Sequence, residues 1–307
     1  MTMSTANSPV PPRQGVAASC LVLPQGHWPD LLTFLCQRFA HVADAWAHRL
    51  AAGQVWNDAG EPLAPVAPYR PGLRIWYFRE VAHEIPVPFD IAILHRDARL
   101  LVVDKPHFLA CVPGGRHVRE TVLTRLRSQP GLEQVSPIHR LDRETAGVMV
   151  FCIDAASRGA YQRLFEQRSV QKEYEAIAPW RPDLPLPRLH RSRLAEVPGE
   201  FVMQEVAGEP NSETVISLLA QRDNWARYRL QPATGKKHQL RAHLAALGIG
   251  IANDPWYPVF RHDKAADDFS QPLALLARSI AFTDPIDGSQ RHFVSQRTLA
   301  WPQAVQA

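Results

Sequence analysis

From residue 90 onward the chain is written in short apolar runs, and these limit its architecture more than any other feature. Ile91–His95, Leu100–Asp104, Val148–Ile153, Glu173–Ala178, Thr214–Leu219 and Ala226–Gln231 are each strand-sized and rich in Val, Ile and Leu. Helical periodicity intervenes at about Thr121–Ser128, Ala155–Gln167 and His238–Leu247. Strands outnumber helices, and their order is not a regular βαβ alternation. The pattern therefore predicts an α+β fold on a mixed, mostly antiparallel sheet, and not a doubly wound fold. Hydrophobic residues make up 46% of the 307 residues, enough for a substantial core. No apolar run approaches the ~18 residues of a membrane-spanning helix.

The first ninety residues read differently. Residues 1–25 lack the basic start and apolar core of a secretory signal, and they are expected to be a disordered tail of a cytoplasmic protein. Residues 26–80 look like a small separate module. Asp30 can cap a helix over Leu31–Phe39, and a second helix spans Val42–Ala51 with Val42, Ala45, Trp46 and Leu50 on one stripe. Short strands follow at Gln54–Asn57 and Leu73–Arg79. Arg38, His41, His48 and Arg49 would form a solvated basic face. Residues 81–89 read as a linker and 90–307 as a second domain, with a proline-rich insertion at 179–211.

Net charge is +4 and the isoelectric point about 9.0, a weak pointer to nucleic acid. Arginine dominates the basic residues, and its planar guanidinium suits phosphates and bases. The four cysteines, Cys20, Cys36, Cys111 and Cys152, form no CxxC pair, so they imply neither a disulfide framework nor a zinc site.

Four segments concentrate functional groups. His139-Arg140-Leu141-Asp142-Arg143-Glu144-Thr145-Ala146-Gly147 is a charged, turn-forming stretch that runs into the strand VMVFCI. It places Asp142 near the sheet rim, where a carboxylate can face a cleft. Thr234 to Leu244 (TGKKHQLRAHL) puts Lys236 and Lys237 at the start of a helix. Cations there oppose the helix dipole, a conflict that a bound phosphate relieves. Lys172-Glu173-Tyr174-Glu175-Ala176 opens a strand whose alternation puts Lys172 and Tyr174 on one face. Leu101 to Pro106 is a buried strand ending in a loop, followed by Pro113-Gly114-Gly115.

In this order and spacing the four segments resemble the RluA-type pseudouridine synthase family. "HRLDRETAGVMVF" is similar to the segment around that family's catalytic aspartate. "VQKEYEAI" is similar to its Lys-x-Tyr strand, and "LLVVDKPHFLACVPGG" to the strand entering the site. "TGKKHQLRAHLAALGIGIANDPWY" is similar to its Thr-Gly-Arg-x-His-Gln block and the Asp-Pro-x-Tyr beyond. The likeness spans about residues 90–260, with Ala146, Lys236 and Asn253 as departures from the usual Ser, Arg and Gly. The N-terminal segment, through "GQVWNDAGEPLAPVAPYRPGLRIWYF", resembles the alpha-L RNA-binding module that often accompanies the family.

The resemblance implies isomerisation of uridine to pseudouridine in structured RNA, large-subunit ribosomal RNA or tRNA. It implies no cofactor, no metal, no membrane and no obligate protein partner. Asp142 would attack C1′ or help remove the C2′ proton. Arg241 would pair with and orient Asp142, Leu240 would floor the cavity, and Tyr174 would stack on uracil and serve proton transfer. Arg140 would fill the stack that the flipped base vacates. Lys105, Arg143, Lys172, Lys236 and Lys237 would bind substrate, chiefly through its phosphates. Two rival readings use the same residues: an RNA-binding protein without catalysis, and a metal-dependent nuclease built on His139, Asp142, His238 and His243.

Overall fold

A computed structural model describes residues 8–81, 83–197, 199–260 and 265–302. The N-terminal module consists of β1 (Ser19–Val22), α1 (Leu31–Arg38), α2 (Ala43–Ala51), β2 (Val55–Trp56) and β3 (Arg74–Tyr77). Asp30 caps α1, its carboxylate accepting from the Thr33 amide at 2.7 Å. The strands form a three-stranded antiparallel sheet in the order β1-β3-β2. Leu31, Phe34, Leu35, Trp46, Leu50, Val55 and Ile75 fill the space between helices and sheet.

Three expectations are corrected here. Residues 19–22 are not disordered tail, because they pair with β3. Arg49 is not on a solvated face. It is buried, with its guanidinium 5.4 Å from the Trp46 ring and 5.9 Å from that of Tyr77. Val42 is exposed, because a short 3₁₀ turn at Ala40–Val42 precedes α2 and takes it off the helix stripe.

The remaining elements are β4 (Ala92–Arg96), β5 (Leu100–Lys105), α3 (Val122–Arg127), β6 (Ser136–Pro137), β7 (Ala146–Cys152), α4 (Arg158–Glu166) and β8 (Gln171–Pro179). They continue with β9 (Arg188–Glu196), β10 (Met203–Val206), β11 (Ser212–Arg222), β12 (Trp225–Pro232), α5 (Gln239–Ala246), β13 (Leu275–Thr283) and β14 (Gln290–Val294). These strands form an eleven-stranded sheet with the main order β10-β9-β11-β12-β8-β13-β7-β5-β4. Every pairing is antiparallel except β13 with β7. The fold is thus the mixed, mostly antiparallel α+β class. Residues 179–211, expected as an insertion, supply β9 and β10. β9 pairs in register with β11 from Ser192↔Ser212 to Arg188↔Ile216, so the segment is the edge of the sheet.

β5 and β7 are buried along their whole lengths, which explains their unbroken apolar runs. Gly147 makes the parallel junction possible. It pairs with Ala277 at φ +116°, and a Cβ there would lie 2.2 Å from the Ala277 carbonyl oxygen.

The two parts of the chain are in contact. Val16, Phe78 and Val118 form one apolar cluster, joined by Trp56 and Val81. The segment read as a linker is fastened as well. The Glu84 carboxylate accepts from the amides of Val118, Arg119 and Glu120 at 2.7–2.8 Å, and Val87 is buried against α3. Among the described residues no helix is long and apolar enough to cross a membrane.

Candidate active site

The turn from 139 to 145 feeds β7, and three side chains hold it from below. The Cys111 thiol donates to the Leu141 carbonyl at 2.9 Å, and the Leu141 amide returns a contact to the sulfur. Lys105 Nζ donates to the Arg143 carbonyl at 3.0 Å, and His107 Nδ1 to the Glu144 carbonyl at 2.7 Å. Asp142 lies at the centre of the held turn, with its side chain 28% exposed.

α5 presents Arg241 to it. This side chain is only 1% exposed. Nη1 donates to Asp142 Oδ2 at 3.2 Å, while Nε and Nη2 donate to the two oxygens of Asp254 at 2.8 and 2.6 Å. The guanidinium also lies 4.6 Å from the Trp256 ring and 5.2 Å from that of Tyr257. Asp254 in turn accepts from the Trp256 and Tyr257 amides, which fixes its plane. The Asp142–Arg241 pair therefore rests on a second, fully enclosed ion pair.

One cavity of about 110 Å³ opens above this pair. Arg140, Asp142, Lys172, Tyr174, Lys236, Leu240 and Arg241 all line it. They come from the turn before β7, from β8 and from the start of α5. Enclosure pushes the Tyr174 hydroxyl well above its usual pKa, and the charge of Asp142 adds to the effect. Tyr174 is therefore a neutral phenol near pH 7. Leu240 is buried and contributes apolar wall.

Three expected contacts are not placed in the cavity. Lys105 is wholly buried and donates to the carbonyls of Pro106, Leu109 and Arg143. Burial lowers its pKa to about 8, and it cannot reach a phosphate. It anchors the Asp142 turn instead. Arg143 is turned to Glu144 at 2.6 Å and lies 5.9 Å from the Phe108 ring. Lys237 faces Glu196 at 3.4 Å and the Phe201 ring at 4.5 Å, so it stands outside the cavity lining. The lysines also do not sit on a simple helix start, since His238, the N-cap of α5, is in the left-handed region at φ +53°.

The set His139, Asp142, His238 and His243 is not a metal centre. Val150's amide donates to His139 Nε2, His238 Nδ1 meets the Tyr257 hydroxyl, and His243 is bonded to Ser192, Ser212 and Thr214. A different group, His190, Glu205 and His243, brings its ligand atoms within 4.8 Å of one another. None of the three lines the catalytic cavity.

Sequence reasoning missed Asp254 as a site residue. Its signal was available, since it opens the Asp-Pro-Trp-Tyr segment. It missed Gln239 too. Gln239 Oε1 accepts from Thr234 Oγ1 and the Lys236 amide, and its Nε2 donates to the Glu213 carbonyl. That network shapes the loop bearing Lys236.

The family described as RNA pseudouridylate synthase matches residues 99–246. An uncharacterized RNA pseudouridine synthase of Synechocystis is 31% identical over 233 residues, covering 74% of this chain and 79% of that protein. The dual-specificity RNA pseudouridine synthase RluA of Escherichia coli K12 is 33% identical over 211 residues, covering 66% of this chain and 91% of that one. The structure of human RNA Pseudouridylate Synthase Domain Containing 1 shares the fold, with TM-score 0.56, 22% identity and coverage of 70% and 86%. Human RNA Pseudouridylate Synthase Domain Containing 4 gives TM-score 0.52 at 26% identity, covering 68% of this chain and 88% of that one. These relatives place the chain among the RNA pseudouridine synthases. Within that class, the chain belongs to the RluA-type family.

Proposed function

We propose that Asp142 is the carboxylate that carries the isomerisation and that structured RNA, large-subunit ribosomal RNA first, is the substrate. The observation that supports this most directly is the placement of Asp142. Among the described residues it is the one carboxylate lining the cavity, and it is held by a buried arginine.

The chemistry follows from what that carboxylate can reach. A flipped uridine enters the cavity. Asp142 attacks C1′ or helps take the C2′ proton, and the C1′–N1 bond breaks with its electrons on the uracil. The ring turns over within the cavity, C5 bonds to C1′ as Asp142 is displaced from C1′ or the C2′ proton is returned, and the C5 proton leaves while N1 takes up a proton. Arg241 fixes the Asp142 oxygen against the sugar. Tyr174 and Leu240 grip the ring, and the Tyr174 hydroxyl serves in proton transfer. Arg140, exposed at the cavity rim, fills the gap left in the RNA stack. Lys172 and Lys236 face the strand beside the uridine. The N-terminal module, with exposed Arg38, His41 and His48, serves as the RNA anchor.

The test is chemical mapping of pseudouridines in total RNA from cells with and without the protein. Loss of a site in large-subunit ribosomal RNA supports the reading. Loss confined to tRNA moves the substrate to tRNA. An unchanged map contradicts both.

A further inference from the structure

A second cavity of about 300 Å³ adjoins the catalytic one, and Thr234 lines both. Its charged lining residues are Arg168, Arg191 and Glu213. Glu213 is engaged by Arg191 Nε at 2.6 Å. Arg168 has no acidic partner among the described residues. Its cationic neighbour is Lys172, whose Nζ donates to the Thr234 carbonyl at 3.0 Å. Burial first, and then the charge of Arg168, pull the Lys172 ammonium below its usual pKa. Lys172 thus lines the first cavity and Arg168 the second, with Thr234 common to both.

The backbone of Arg168 adds an independent observation. It follows α4 at φ +57°, in the left-handed region that helix ends normally fill with glycine or asparagine. A long, charged side chain stands where glycine would relieve the strain. Strain kept at such a place points to a use for the side chain.

We propose that Arg168 and the cavity it lines bind a backbone phosphate of the RNA beside the flipped uridine, so that the strand leaves the catalytic cavity past Thr234. This inference rests on the pseudouridine synthase reading and adds the path of the substrate strand. The ligand is a phosphodiester, for which a guanidinium offers paired donors. Glu213, already spent on Arg191, does not repel it strongly.

The test uses the full chain carrying Arg168→Gly, with Arg168→Lys as its companion. Binding to fluorescent oligouridylate is followed across salt concentrations, alongside thermal unfolding and the rate of pseudouridine formation in saturating RNA lacking the modification. Arg168→Gly is expected to bind about tenfold more weakly at low salt. Its plot of log affinity against log salt should be shallower by about 0.7, the value for one single-strand phosphate contact. Its unfolding temperature should be equal or higher and its saturated rate unchanged. Arg168→Lys keeps the charge and most of the slope. A residue that merely ends α4 would change the unfolding temperature and leave the slope alone. Unaltered affinity and slope in Arg168→Gly would overturn the proposal. Asp142→Asn separates the two readings. It should bind oligouridylate as the parent does and lose turnover, so turnover by that variant would indict the catalytic assignment and not the phosphate site.

Discussion

Arg241 reaches Asp142 with only one of its nitrogens, at 3.2 Å, and gives the other two to Asp254. The arrangement divides the labour. Asp254 is fully enclosed and fixes the guanidinium, while Asp142 keeps 28% of its side chain exposed.

Asp254→Asn should therefore harm the enzyme at a distance from the chemistry. It breaks a buried ion pair, a change that costs about 3–5 kcal/mol. It also lets Arg241 rotate, and a misplacement of about 1 Å can lower a rate ~10²-fold. Urea unfolding and single-turnover kinetics at saturating RNA measure the two effects. A variant with full rate and full stability would show that Asp254 does not position Arg241.

Arg241→Ala and Lys236→Ala should separate rate from affinity. The first leaves Asp142 misoriented and Asp254 buried without its partner, so both stability and the saturated rate fall. The second removes an exposed ammonium at the cavity rim. It should weaken RNA binding, reduce the salt slope by about 0.7–0.9, and leave the saturated rate within a few-fold. Equal rate losses at saturation would contradict this division.

Deleting residues 1–80 should do more than weaken RNA binding. The deletion removes Val16 and Phe78 from the cluster that covers Val118, and it removes Gly15 from the C-terminal part of α3, at Thr124, Arg127 and Ser128. The shortened protein should unfold at lower temperature and bind RNA more weakly. Saturating RNA should still restore most of the rate at 20 °C or below, since no cavity residue is lost. A shortened protein with unchanged affinity would show that the module is not an RNA anchor.

Four histidines, two buried and two half-buried, make the fold sensitive to mild acid. Burial holds His107, His238 and His243 at about 4 and His139 at about 3. The unfolded chain takes up these protons near pH 6.5. The stability they contribute is thus complete above about 6.5 and is lost progressively as pH falls toward 4. Each withheld proton steepens the decline by about 1.4 kcal/mol per pH unit. Urea midpoints at pH 7.5 and 5 should differ markedly, and a flat profile over that range would contradict the buried neutral rings.

Much of this site could be read from the sequence because its elements are local. The Asp142 turn runs into an unbroken apolar strand, and the Lys-x-Tyr alternation survives intact in β8 with Lys172 and Tyr174 on the cavity side. What escaped depends on partners distant in the chain. Lys105 reads as a surface cation until Arg143, 38 residues away, offers its carbonyl. β9 alternates exposed and half-buried polar residues, as an edge strand can, and its proline-rich approach reads as loop. β13 carries Arg278 in mid-strand, matched across the sheet by Glu175 at 2.7 Å, a pairing that no local pattern reveals.

The most direct test is single-turnover pseudouridine formation by Asp142→Asn on RNA from cells lacking the protein. The substitution keeps the side chain's size, and the Asn oxygen can still accept from Arg241. It should fold and bind RNA as the parent does, and its rate should fall by more than ~10³-fold. A folded Asp142→Asn protein that forms pseudouridine at the parental rate would contradict the account.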